Sequence, residues 1–160
     1  MANATISLTA NVKTDPSKTA EILCSEEFLV ETYKKREEVV DATYALKSEP
    51  DGRIVFEIAE IHYKRSKTGS LDKSGTTSHK AEYRYDPQKR TLAFDYGASA
   101  KFRITGSYGI APSGSGSKVA FDGSVDVPIP LVGRVIAGLI KREMEKGFGD
   151  IVRGLNARSS

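Results

Sequence analysis

The chain has 160 residues, 39% of them hydrophobic and 28% charged, and its 24 basic and 21 acidic side chains leave a formal net charge of +3. That size and balance fit one soluble domain over residues 1–160 with an ordinary core, and no apolar run approaches the ~18 residues that read as a membrane span. The two signs of charge are interspersed and Trp is absent, which argues against a nucleic-acid surface. The single cysteine, Cys24, excludes an internal disulfide and suits a reducing compartment. The first residues lack a basic segment followed by an apolar stretch, so no secretory signal is expected and the cytoplasm is the expected location. Asn3-Ala4-Thr5 is then a glycosylation sequon by chance.

Ile6, Leu8, Ala10 and Val12 alternate with polar residues and predict a first strand. Asp15-Pro16 pairs a good N-cap with a residue suited to the first helical position, which predicts a helix to about Cys24. Ser25-Glu26-Glu27 starts a second helix with carboxylates at its positive end and Phe28, Leu29 and Tyr33 on its apolar side. A second strand has Val40, Ala42, Tyr44 and Leu46 on one face, and Glu49-Pro50-Asp51-Gly52 is a turn. Ile54, Phe56 and Ile58 lead a third strand. Gly69 to Gly75 reads as a polar loop, with Ala81, Tyr83 and Tyr85 in a fourth strand and Leu92, Phe94 and Tyr96 in a fifth. Phe102, Ile104, Tyr108 and Ile110 share one face of a sixth. Ser113 to Ser117 reads as a flexible link to a seventh carrying Val119, Phe121, Val125 and Val127. Short links from the second strand onward favour an antiparallel meander.

Register follows from keeping large side chains on one face. Tyr108 is expected opposite Phe121, with Ile104 opposite Val125 and Gly106 opposite Gly123; Phe94 is expected opposite Phe102, Ile58 opposite Tyr83, and His62 opposite His79. After Pro128 and Pro130 the spacing turns helical, with Val132, Val135, Ile136, Leu139, Ile140, Met144, Phe148, Ile151, Val152 and Leu155 as the large apolar residues. The set from Val132 to Ile140 points about 130° away from the set from Met144 to Leu155, which predicts a bend or a change of contact surface. The first set is expected on the sheet, so Leu139→Asp should unfold the domain.

The order of strand, two short helices, six antiparallel strands and a long final helix resembles the START-like superfamily, also called SRPBCC, over nearly the whole chain. Tyr83-Arg84-Tyr85-Asp86-Pro87 and Val125-Asp126-Val127-Pro128-Ile129-Pro130-Leu131-Val132-Gly133 look like a bacterial branch of it. The resemblance implies an α+β helix-grip fold: a curved antiparallel sheet of about seven strands gripping the last helix around an apolar cavity. It also implies a hydrophobic or amphipathic small-molecule ligand, with no cofactor.

Parity along the strands assigns the candidate ligand-binding residues: Phe56, Ile58, Glu60, His62, Tyr83, Phe94, Phe102, Ile104, Tyr108 and Phe121 on the sheet, with Leu139, Ile140 and Glu143 on the final helix. Glu60, His62 and His79 would bring two imidazoles and a carboxylate to one end of the cavity, for ligand recognition or acid–base work. The alternative places these residues where the hairpin has left the core for solvent. Tyr44, Tyr83 and Tyr108 carry hydroxyls that bond a ligand or simply reach backbone or water. Glu143 is either a cavity carboxylate or a solvated edge residue. No metal site is expected, because two histidines and a carboxylate without known geometry fall short of one. Ser70-Leu71-Asp72-Lys73 and Lys67-Thr68-Gly69 match penicillin-recognising motifs in a chain too short for that fold, and Gly114 to Lys118 lacks phosphate-loop spacing. Three readings stand: binding or transport of a hydrophobic small molecule; a cyclase or aromatase moving protons through Glu60, His62 or Tyr83; and a module for protein interaction or transient membrane contact, using the basic flanks of the final helix. The third requires the apolar stripe of that helix to be exposed.

Overall fold

The computed structural model describes residues 3–48, 53–65, 70–97 and 102–158. In chain order the elements are β1 (Ala4–Val12), α1 (Pro16–Leu23), α2 (Glu26–Lys34), β2 (Val39–Ser48), β3 (Ile54–Arg65), β4 (Leu71–Asp86), β5 (Thr91–Tyr96), β6 (Arg103–Ser113), β7 (Gly116–Asp126) and α3 (Gly133–Ala157). The expected turn at Glu49 to Gly52 and the Lys67-Thr68-Gly69 stretch lie outside the described residues. The strands form one curved antiparallel sheet in the order β1-β7-β6-β5-β4-β3-β2, so β1 and β2, consecutive in the chain, form its opposite edges. The helices approach it at β1, β7, β6 and β2, which leaves the inner face of β3 to β5 to be covered by side chains. This is the helix-grip arrangement, and no described helix is long and apolar enough to cross a membrane.

Local chemistry accounts for the two short helices. The Asp15 carboxylate accepts from the Lys18 amide at 2.8 Å, with Pro16 in the first turn, and Ser25 Oγ accepts from the Phe28 amide at 3.3 Å. Each cap satisfies an amide that has no partner within its helix.

The β6–β7 register is the expected one, with Tyr108 opposite Phe121 and Gly106 opposite Gly123. Two other registers differ. Phe94 lies opposite Gly106 instead of Phe102, and Tyr83 lies opposite Phe56 instead of Ile58, with Glu60 opposite His79. Both displacements are even, so every side chain keeps its face. The second has a visible cause: β4 begins at Leu71, inside the expected loop, and between Tyr63 and Lys64 its pairing jumps from Thr76 to Asp72. Pairing of Arg65 with Leu71 sets the hairpin earlier in the chain than a loop centred near Ser70 and Leu71 would, and the three residues bulged out of β4 take back part of that shift. A further irregularity between Val39 and Asp41 turns Val40 outward at 44% exposure and Val39 inward at 8%. Leu46 is also outside the core, at 64% exposure on the edge strand. The Ser113 to Ser117 link is a tight hairpin, in which Ser113 pairs with Gly116 around Gly114 at φ 57°.

The facing glycines on β6 and β7 allow a close approach. A Cβ on Gly106 would stand 2.5 Å from the Asp122 carbonyl oxygen, and one on Gly123 would stand 2.6 Å from that of Thr105. The Phe121 ring lies over both.

The final helix corrects the expected packing. Gly133, Ala137, Phe148, Gly154 and Leu155 are its buried residues, with Ile136, Ile140, Met144, Ile151 and Val152 packed against the core. At 100° per residue these positions fall within a sector of about 160°, a single inward face. Val132, Val135 and Leu139 are 48%, 66% and 55% exposed, so Leu139 stands outside the interior and its replacement by Asp is no longer expected to unfold the chain. Small residues decide this: Gly133 and Ala137 let the first half of α3 approach the sheet more closely than Val135 and Leu139 would. At the far end Gly154 admits the Phe28 ring, whose Cε1 would be 2.6 Å from a Cβ there.

Candidate functional site

β3 and β4 bring the candidate polar residues into the interior. Glu60 is 1% exposed and touches His62, whose ring nitrogen Nε2 lies against the carboxylate, so the hairpin has not left the core at this point. His79, opposite Glu60 on β4, stands with its ring centroid 4.5 Å from that of His62 and stacks on Tyr96 at 5.7 Å. Its Nε2 is 2.9 Å from Thr77 Oγ1, while its Nδ1 is buried with no hydrogen-bond partner among the described residues. Burial first, and then the neighbouring His62, hold the His79 pKa below its ordinary value of 6.5. His79 is therefore neutral at pH 7, with one ring nitrogen a donor and the other an acceptor.

Four residues not singled out from the sequence complete the cluster. Tyr33 from α2 meets Tyr83 hydroxyl to hydroxyl, which ties the helix to the middle of the sheet. In the link after α2, Arg36 pairs with Glu38 at 2.7 Å. Burial works against both charges, but their mutual attraction outweighs it, so the Arg36 pKa is raised and that of Glu38 lowered; Glu60 adds to the pull on Arg36. Tyr96 on β5 joins the ring stack. Tyr96 shares the alternation of Leu92 and Phe94 read from the sequence, which implies its inward position though not its place in the site. Arg36 and Glu38 sit in a mixed run of charges that looks solvated, and only the tertiary fold brings them inside. Desolvation raises the pKa of Tyr33, Tyr83, Tyr96 and Tyr108, which keeps these phenols protonated as hydrogen-bonding groups.

Aromatic rings floor the cluster. Tyr44, Phe56, Tyr83 and Phe94 follow one another at centroid separations of 5.0, 4.8 and 5.2 Å, and Phe94 reaches Phe121 edge-on at 6.3 Å. The Tyr44 hydroxyl is used in the fold, donating to the Cys24 carbonyl at 2.9 Å. Phe56, Ile58, Tyr83, Phe94, Ile104, Tyr108 and Phe121 are all buried, Phe102 and Ile140 partly so. Leu139 and Glu143 are not brought to this cluster: Leu139 is exposed, and Glu143 pairs with Lys146 at 3.6 Å on the outer side of α3. Of two concavities, one of about 230 Å³ is lined by Asp41, Thr43, Ile61 and Lys80 together with Glu60 and His79 of the cluster, and the other, of about 330 Å³, lies beside Asn3 and Asp126 to Pro130. The described residues include no group of three or more His, Cys, Asp or Glu placed to hold a metal ion. The assembled chemistry is a stack of rings edged by neutral phenols, an imidazole with a free nitrogen and a carboxylate.

Comparison with known proteins gives a consistent picture. Residues 5–156 match the family described as polyketide cyclase / dehydrase and lipid transport. No curated protein matches the chain by sequence. Among solved structures, TTHA0849 from Thermus thermophilus is similar at a TM-score of 0.67 and 15% identity, covering 98% of this chain and 97% of that one. The Zhui aromatase/cyclase from a Streptomyces species is similar at 0.66 and 9% identity, over 98% and 93% of the two chains. A START superfamily protein from Mycobacterium smegmatis is similar at 0.64 and 16% identity, over 97% and 96%. At these identities the likeness to solved structures is one of fold.

Proposed function

The chain belongs to the polyketide cyclase / dehydrase and lipid transport family, and from that premise we propose that it binds a hydrophobic or amphipathic small molecule carrying an aromatic or otherwise flat polar-edged part. The ligand lies on the inner face of β3 to β6, its flat part against Phe56, Tyr83, Phe94 and Tyr96 and its polar edge toward Glu60, His62 and His79. The observation that carries this reading is the His79 Nδ1 atom, buried beside the rings without a partner among the described residues. A buried polar nitrogen left unmatched costs about 1–3 kcal/mol, a penalty that a ligand group bonded to it would relieve. The interior rings pack on one another, so binding requires them and the half-buried Ile140 and Met144 of α3 to give way.

Fluorescence titration with a hydroxyanthraquinone and with a fluorescent fatty acid tests the reading. The hydroxylated ring compound should bind saturably, and His79→Phe should weaken it about tenfold while the fold is kept. Absence of binding by both probes at high micromolar concentration, or no change on His79→Phe, would overturn it.

The buried Glu60–His62 contact favours a second reading, an enzyme of the cyclase or aromatase kind. There His62, oriented by Glu60, takes a proton from an activated methylene and gives it to a departing hydroxyl, which leaves as water. Turnover of a poly-β-ketone surrogate by the native chain but not by Glu60→Gln would separate the enzyme from the carrier.

A further inference from the structure

β2 is an edge of the sheet, with β3 along one side and no described strand along the other. Its side chains alternate, Ala42, Tyr44 and Leu46 on the inner face and Asp41, Thr43, Ala45 and Lys47 on the outer. The inner row is unfinished. Ala42 is 4% exposed, whereas Leu46 is 64% exposed, with Phe56 of β3 beside it and no described strand on its open side. α2 ends beside the start of the strand, where Lys34 reaches Asp41 at 3.4 Å, and leaves Leu46 uncovered.

Charge identifies what fits this edge. Charges on an edge strand usually keep copies apart, because a second copy presents the same sign. Here Asp41 and Lys47 carry opposite signs on one face at equal distances from Tyr44, so the strand turned end for end is its own complement. We propose that β2 pairs antiparallel with β2 of a second copy about a two-fold axis at Tyr44, setting Asp41 of each chain against the partner's Lys47 and Leu46 against the partner's Ala42. Lys34, 3.4 Å from Asp41, and Glu57, 3.3 Å from Lys47, extend each contact into a chain of alternating sign. The register is specific. Moving the axis to Thr43 faces Asp41 with Ala45, and moving it to Ala45 faces Lys47 with Thr43, so neither keeps the ion pairs. The pairing irregularity between Val39 and Asp41 falls outside the stretch from Asp41 to Lys47. Because α2 ends at the start of each strand, the two helices stand at opposite ends of the pair, and small Ala42 leaves Leu46 its space.

Two paired strands make a small interface, so the dimer should be of micromolar affinity. Sedimentation equilibrium of the full chain from about 1 to about 200 μM should show monomer passing into dimer. Each substitution counts twice in a two-fold dimer, so Lys47→Asp or Asp41→Lys should weaken it at least about tenfold by bringing like charges together. Asp41→Lys with Lys47→Asp should restore it to within about threefold. Within one chain that double variant keeps the new repulsions against Lys34 and Glu57, so its recovery can come only from the contact between copies. Leu46→Ser should weaken the dimer about tenfold. These three side chains are at least half exposed, so melting of the dilute variants should stay near native. A monomer throughout, as an edge reserved for a different chain would give, a dimer indifferent to Lys47→Asp, a double variant that fails to recover, or a dimer broken by Leu139→Ser instead would overturn the proposal. Ligand titration reads the interior and sedimentation reads the edge, so either can fail while the other stands.

Discussion

The β1–β7–β6 end of the sheet and the β3–β4 end present opposite interiors from the same alternation of side chains. At the first, Ile6, Val119, Phe121 and Val125 are at most 2% exposed and carry no polar atom beyond the backbone. At the second, the equally buried Glu60 lies against His62 and beside His79. Such apolar side chains hold the first end chiefly through burial, with the buried Ser117 of β7 satisfied by donating to the Thr14 carbonyl at 2.7 Å, whereas the polar end stabilises only as far as each group finds a partner. His79 Nδ1, buried without a partner among the described residues, is a polar group that this end leaves unmatched.

Substitutions can break that contrast in order of effect. Phe121→Ala at the apolar end should cost about 3–5 kcal/mol, measured as a lower urea midpoint. At the polar end His62→Ala should cost less, about 1–3 kcal/mol, since it removes a partner from the Glu60 carboxylate. A His62→Ala variant as stable as the native chain would show that the contact contributes nothing to folding.

Acid should sharpen the contrast, because only one end titrates. The folded chain holds His79 below its ordinary 6.5, so below that pH the unfolded chain binds more protons and stability falls. Glu38, held below its ordinary 4.5 by Arg36, adds a second loss as pH falls below that value. Melting temperature recorded from about pH 8 down to about pH 2 should therefore decline in two stages, and His79→Phe should flatten the upper one. The smallest effect is expected outside both ends: Leu139→Ser should change stability by less than about 0.5 kcal/mol in the same urea experiment.

The sheet was legible because alternation and turn chemistry are local signals. Strand parity survived even where the pairing partner was wrong: an even displacement moved Tyr83 from Ile58 to Phe56 without turning either residue over. The caps at Asp15 and Ser25 were equally readable. What escaped was set by tertiary distance. Arg36 and Glu38 lie in a charged run like any surface segment, and nothing nearby in sequence shows that the α2–β2 link turns them over the inner face. On α3 the large aliphatic residues gave a false core face, because close packing there belongs to Gly133 and Ala137, which carry almost no hydrophobic signal.

The facing glycines of β6 and β7 bear on how the hairpin finds its pairing while the chain is still folding. Only with Gly106 against Gly123 can the two backbones close to the observed separation, since a Cβ at either position would collide with a backbone carbonyl. Shifted by two residues, the hairpin would set Ile104 or Tyr108 against Gly123, with the large residues still on the inner face and a side chain in the way. Hydrophobic patterning alone accepts such pairings. The glycine pair rejects them sterically, so misaligned hairpins stay open and free to re-form until the one closable alignment is reached.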